Sequence, residues 1–422
     1  MNSTESGERV IIIGGGISGL STAYYAAQKG FKPVVLDPEM AGDGGCSYGN
    51  AGMVVPSHFV PLAAPGVVWQ GIKWMFDPSS PFSVKPRLDP ELLRWGTIFQ
   101  LHCTKKHVAN TRELLRDLNL ASRDRFLKLQ EKLGDFGLVS KGLLMLCETE
   151  EGLEHEAAFA REAMDLGVET EVCDAERLKE LDPKVDLAVN GGVYFPLDCH
   201  MDPERLMAKL KEALVELGGE LHNGVEVETL IKEGDRFVAA RAKDGSEFAG
   251  DHCVIAAGVK SKALAKQLGF KLPLEAGKGY SLMLKEPRQL PELCSILTEA
   301  RVAVTPMGDS LRVAGTMEIG ASLEKVNQAK LKGIIDSFCR YFSDFTAEDF
   351  SGIEPWSGLR PCSPDGLPYI GRAPRVKNAL VASGHAMMGL SLGPITGEIL
   401  ANELAGDQSE FASPMLSPGR FS

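Results

Sequence analysis

The chain has no run approaching 18 to 20 consecutive apolar residues, so no membrane-spanning helix is expected. Its nine cysteines are scattered, with no C-x-x-C and no Cys/His ligand spacing. That excludes a locally encoded zinc site or dithiol centre, so no metal is expected, and it reads as free thiols in a reducing compartment. There is no basic cluster: 45 Lys and Arg face 57 Asp and Glu, a net charge of -12, which argues against a nucleic-acid partner. Met1 to Arg9 lacks the basic and apolar regions of a secretory signal. Together these absences predict a cytoplasmic protein, with attachment to the inner face of the plasma membrane left open. Neither a carboxylate pair, a Ser/His/Asp set nor a nucleophilic cysteine is signalled, so acid-base or covalent catalysis by side chains is not expected to carry the chemistry.

What is present is an ordinary globular composition, 44% hydrophobic and 24% charged, over 422 residues, enough for two joined domains. Val10 to Ile13 is a short β-branched run, Ile17 to Lys29 has helical character, Gly30 stops it, and Pro33 to Asp37 is a second strand. This is a right-handed parallel βαβ unit. Gly14-x-Gly16-x-x-Gly19 joins its first strand to the helix, where backbone N–H groups and the positive helix end meet a pyrophosphate. Gly14 allows the tight turn, Gly16 the approach of phosphate, and Gly19 the packing of helix on strand, with Ile17 and Ser18 opening the helix. Asp37 ends the second strand, where a carboxylate takes ribose hydroxyls and disfavours a 2′-phosphate.

The glycine turn alone does not separate FAD from NAD. Gly44 to Gly52, small and polar and including Cys46, Ser47, Asn50, Ala51 and Gly52, suits a long cofactor extended over a loop, with Met53 following. A second glycine-ended strand, Cys253 to Gly258 with Ala257, offers another close backbone approach. Both favour FAD.

Met40 to Arg87, rich in Gly, Pro, Ser and Asn, reads as a long functional loop without regular structure. Pro90 to Leu133 carries the periodicity of two long amphipathic helices, expected to pack on the second domain. Leu138 to Cys147, Gly191 to Phe195, Tyr280 to Lys285, Val302 to Thr305 and Ser310 to Gly315 read as one mostly antiparallel sheet. Pro203 to Gly218 is helical, Leu221 to Gly258 returns to the first domain, and Ala379 to Ala382 with a helix from Pro394 to Leu404 closes it. The predicted fold is therefore α/β and α+β: a Rossmann-like FAD-binding domain (1–87, 201–270, 353–422) interleaved with a substrate domain (88–200, 271–352).

Further segments, Ser47-Tyr48-Gly49-Asn50-Ala51-Gly52, Ala63-Ala64-Pro65-Gly66-Val67, Ile72-Lys73-Trp74-Met75, Gly358-Leu359-Arg360-Pro361, Pro364-Asp365-Gly366 and Gly384-His385 with Gly389 and Thr396-Gly397, carry a family resemblance. Over nearly its whole length the chain resembles the D-amino acid oxidase-like flavoproteins, and within them the bacterial D-amino acid dehydrogenases. The resemblance implies non-covalent FAD, with Cys362 an ordinary small residue. It implies that Arg360 forks onto a substrate carboxylate, as a planar guanidinium can. It places Gly384, His385, Gly389, Leu390 and Ser391 beside the flavin ring and Val227 at the adenine.

For His385 a structural and a catalytic role are equally open. Oxidase relatives bring a tyrosine to the substrate from the strand that here reads Val302-Ala303-Val304-Thr305; Tyr280 or Tyr48 is the candidate replacement. The chemistry implied is hydride transfer from Cα of an amino acid to flavin, hydrolysis of the imino acid to a 2-oxo acid and ammonia, and electron transfer to a quinone or dye. The alternatives are an oxidase or dehydrogenase of glycine, sarcosine or D-hydroxyproline, and, in another class, a non-catalytic FAD-binding subunit of a heteromeric dehydrogenase. Trp69, Trp74, Met75 and Phe76 in Pro61 to Phe82 form either a membrane-surface or quinone-side element or a pocket lid.

Overall fold

A computed structural model describes residues 7–39, 45–74, 77–85 and 87–422; the readings made for Met1 to Ser6, Gly44, Met75 and Phe76 lie outside them. The strand Arg9–Ile13 runs into the helix Ile17–Gln28 and the strand Lys32–Asp37, and the two strands pair in parallel from Arg9 with Lys32 to Ile13 with Leu36. Both are buried on two faces, which is why they read as continuous β-branched runs. Strands Glu220–Asn223, His252–Ile255, Tyr369–Arg372 and Ala379–Ser383 complete a six-stranded sheet that is parallel except at Tyr369–Arg372. The helix Gly393–Ala405 packs on the helix Ile17–Gln28 because two glycines leave room for it: a Cβ at Gly393 would lie 2.3 Å from Ile17 Cγ1 and one at Gly397 2.4 Å from the Ser21 carbonyl carbon. A separate three-stranded antiparallel sheet spans Val227 to Ala249.

The second layer is a nine-stranded sheet. Its main order is Trp356–Cys362, Glu275–Lys285, Ser310–Ile319, Val302–Met307, Cys294–Leu297, Leu143–Cys147, Gly191–Phe195 and Glu171–Cys173. Pairing is antiparallel except between Cys294–Leu297 and Leu143–Cys147 and where Phe82–Val84 joins Ser310–Ile319. The mostly antiparallel expectation therefore holds, but two segments change sides. Trp356–Cys362 and Phe82–Val84, assigned above to the FAD-binding domain, hydrogen-bond into this sheet.

Two further expectations are corrected. The stretch Met40 to Arg87 contains a helix, Val67–Trp74, which beds on Phe82 through Gly71, where a Cβ would lie 2.9 Å from the ring. The two long helices, Pro90–His102 and Lys105–Leu133, form as predicted, each started by a side-chain cap from Asp89 or Thr104. They diverge in packing. Trp95 and Phe99 of the first bury against Met317 and Ile319 of the large sheet, whereas Leu118, Phe126 and Leu129 of the second join the core under the glycine-turn helix.

Candidate active site and cofactor cradle

Between the two sheets lies one cavity of about 1640 Å³. At one end its wall is backbone. Gly14, at φ 110°, approaches the Ala256 carbonyl so closely that a Cβ would sit 2.4 Å from its oxygen, and at Gly19 a Cβ would sit 1.9 Å from the Gly14 oxygen. Gly16, Ile17 and Ser18 line the cavity at the start of the helix, where the first N–H groups have no intrahelical acceptor. The Ser47 hydroxyl accepts the Ile17 N–H at 3.0 Å, bringing the Cys46 to Asn50 loop onto the same turn. Asp37 accepts from the Gly15 and Glu39 N–H groups and keeps lone pairs facing the cavity rim. Val227, Ala257 and Gly258 line this end with Lys211, Lys243 and Lys260. A glycine cradle without side chains, a helix start and a rim carboxylate fit the ADP half of FAD.

The middle of the cavity is lined by Cys46, Asn50, Ala51, Met53 and Val55 on one side and by His385, Gly389, Leu390 and Ser391 on the other. Gly52 and Gly384 do not line it; they shape the loops that do. Gly52, at φ 75°, lies against the Met201 carbonyl, and Gly384, at φ 77°, against the Tyr369 ring. His385 is buried, its Nε2 3.0 Å from the Thr396 hydroxyl, and burial pushes its pKa down to about 4, so it is neutral at pH 7. The Ser391 hydroxyl accepts the Val55 N–H and donates to Asn119, and the Ser122 hydroxyl donates to the Ser391 carbonyl, which ties the two walls together.

Arg360 comes from the edge strand Trp356–Cys362. Its guanidinium lies flat over Gly279, where a Cβ would be 2.1 Å from Nη1, and Nη1 donates to the Thr316 carbonyl at 2.8 Å. That carbonyl is available because of a β-bulge: Lys278 pairs with Glu318 and Tyr280 with Gly315, leaving Thr316 and Met317 opposite Gly279 alone, with Thr316 at φ 73°. Burial lowers the Arg360 pKa without discharging it, and among the described residues no carboxylate pairs with it. A desolvated guanidinium open to a cavity is a receptor for a carboxylate.

Tyr280 does not face the cavity. Its hydroxyl donates to Glu318 at 2.7 Å and accepts from the Asn327 N–H at 3.1 Å, so it holds a buried loop contact. Tyr48 borders the cavity, but its ring packs with the core under the glycine-turn helix and beneath the Lys211 ammonium. Cys362 is buried outside the cavity, beside Met317.

Sequence reasoning passed over several residues here. Trp356 lies across Gly49 and Gly358, explaining both glycines. Arg312 donates to the carbonyls of Tyr48 and Asn50 at 2.8 and 2.7 Å, clamping the cofactor loop from the opposite sheet. Ser57 bridges the buried Asp198 to His58. Only a strand arginine facing inward could have signalled Arg312; nothing local marks the others.

Comparison with known proteins decides the family. Residues 9–403 match the family model described as FAD dependent oxidoreductase (DAO). The chain belongs to that family. It is 32% identical to a D-amino acid dehydrogenase of Vibrio atlanticus and 30% identical to one of Granulibacter bethesdensis, in each case over 98% of this chain and 99% of the relative. Among solved structures, glycine oxidase from Geobacillus kaustophilus superimposes with a TM-score of 0.78 at 24% identity, covering 98% of this chain and all of that one. L-proline dehydrogenase from P. horikoshii gives 0.71 at 18%, covering 99% and 98%. These two likenesses concern the fold. As a family member the chain is an FAD-dependent oxidoreductase, and the cradle from Gly14 to Asp37 suits that cofactor.

Proposed function

We propose that this flavoprotein is a D-amino acid dehydrogenase, releasing 2-oxo acid and ammonia and passing electrons to a quinone or dye. The observation that carries the reading is Arg360, a half-buried guanidinium that pairs with no carboxylate among the described residues, beside the loops expected to hold the flavin. A subunit without turnover has no use for such a clamp, which counts against a non-catalytic role. When bound, FAD supplies the acceptor for the Cα hydrogen, taken as hydride. Arg360 fixes the substrate carboxylate, and Thr316 and Gly279 fix Arg360. Met53, Val55 and Ala314 line the space with apolar surface and thin the water around the reacting carbon. His385, neutral and bonded to Thr396, orients the loop before the last helix and does not titrate near pH 7.

For the acceptor side, Trp69 and Ile72 stand 65% and 42% exposed on the helix Val67–Trp74, which borders the cavity through Val67, Gln70 and Trp74. We assign this face to a peripheral membrane or quinone contact. Among the described residues no helix is long and apolar enough to cross a membrane. The test compares dye reduction with peroxide formation on D-phenylalanine, D-alanine, glycine and D-hydroxyproline. Dye-linked turnover of the D-amino acids is expected; strong peroxide release with glycine would replace this reading with that of a glycine oxidase.

A further inference from the structure

Past Arg360 the cavity continues over the large sheet, and its floor is one cross-strand row. Ala314 pairs with Ala303, Ala303 with Ile296 and Ile296 with Met145, and all four line the cavity. At about 4.8 Å per strand the whole row runs roughly 14 Å from Ala314 to Met145, and its first step, from Ala314 to Ala303, is about the reach of a short aliphatic side chain. The floor is apolar, but the hairpin turn two residues before Ala303 is charged.

Arg301 closes the hairpin between Cys294–Leu297 and Val302–Met307 with φ 53°, a left-handed backbone that strains a non-glycine residue. Glycine would hold this turn with less strain, so the arginine is there for its side chain, which lines the cavity. His58 and Glu156 line the same cavity, and the Arg301 charge bears on both. Burial, with the Arg301 charge added, pushes His58 down to about 4; burial raises Glu156 while Arg301 opposes that rise.

Arg112 comes from the helix Lys105–Leu133, whose cavity face is Lys105, Val108, Ala109, Arg112 and Leu115, and its Nε is buried without a hydrogen-bond partner. Among the described residues neither Arg301 nor Arg112 forms an ion pair; Arg301, Lys105 and Glu162 are exposed, Arg112 is half-buried, and Glu156 has His155 at 3.6 Å. Two guanidiniums and Lys105 thus outweigh two carboxyls.

We propose that Arg301, with Arg112, is the specificity-determining pole for the substrate side chain, and that the favoured substrates are amino acids whose side chain ends in a carboxylate. This rests on the amino-acid reading above and adds a second anion site to it. The α-carboxylate takes Arg360, the methylenes lie across Ala314 and Ala303, and the distal carboxylate faces Arg301 at the neighbouring turn.

Two measurements on the holoenzyme test it. The first titrates the flavin absorbance with glutarate and with valerate, which differ by the distal carboxylate. Wild type is expected to bind glutarate at least about tenfold more tightly. Arg301→Gly, which suits the left-handed turn and leaves the fold intact, should erase that gap and leave valerate unchanged. The second compares kcat/KM for D-glutamate and D-norvaline in dye reduction, where the same gap should open and close with Arg301. Equal binding of the two acids by wild type, or a gap surviving in R301G, overturns the proposal. A glutarate gap without flavin reduction by any D-amino acid would instead sink the dehydrogenase reading and leave the pole standing. Turnover that favours D-norvaline would do the reverse.

Discussion

On the cofactor side of the cavity two stretches close together in sequence act through backbone: Gly14 to Gly19 and the loop Ser47 to Asn50 offer N–H groups and empty space, and Val227, Ala257 and Gly258 join them from later strands. On the substrate side the wall is made of side chains brought from strands far apart. Arg360, Thr316 and Gly279 meet only because three strands are adjacent in the large sheet. Pyrophosphate recognition needs close approach, which a short glycine motif supplies alone. Carboxylate recognition needs one desolvated cation in a shaped space, and only packing produces that.

The contrast can be broken at either side. The largest effect is expected from Gly19→Ala, whose Cβ would meet the Gly14 oxygen at 1.9 Å. Backbone cannot yield as a side chain can, so the protein should purify without flavin, read as loss of visible absorbance. Arg360→Met should keep its flavin and lose about 2–5 kcal/mol of substrate interaction, roughly 30- to 5000-fold in kcat/KM. If R360M lost flavin as well, the two sides would not be separable.

Gly279→Ala sharpens the comparison, because its Cβ would meet a guanidinium rather than backbone. The flexible end shifts, so a rise in KM of roughly tenfold with unchanged flavin content is expected.

The smallest effect concerns pH. Burial raises Asp198 to about 7 and lowers His200 to about 4. For Asp198 the folded state binds the extra proton between about 4 and 7, so its ionisation destabilises the fold as pH rises through 7. Asp198→Asn should therefore raise Tm at pH 8 relative to wild type and not at pH 5. His200 acts in the opposite sense: the unfolded chain binds the extra proton, and stability falls as pH drops from about 6.5 toward 4. A Tm difference for D198N that is the same at both pH values would remove Asp198 from this account.

Much of the cofactor side was legible because its signals are local. The strand, glycine turn, helix and Asp37 stand in register within one βαβ unit, and periodicity marked both long helices. The substrate side was legible only at Arg360, through the flanking Gly-Leu-Arg-Pro. Tyr280 stood as a replacement for the tyrosine of oxidase relatives, yet its hydroxyl bonds Glu318 and the residue does not line the cavity. Trp356–Cys362 looked like a return to the first sheet because its neighbours in sequence go there, but its edge pairs with Glu275–Lys285.

The sequence by itself determined the dinucleotide cradle, the family and the arginine, since backbone geometry at glycines and a four-residue motif need no distant partner. Tertiary structure alone decided what Arg360 rests on, that Arg312 holds the loop from Tyr48 to Asn50, and that Arg301 lines the cavity from the hairpin turn near Ala303. Those contacts depend on strand order and register, and a one-residue slip of register would turn each of these side chains to the opposite face.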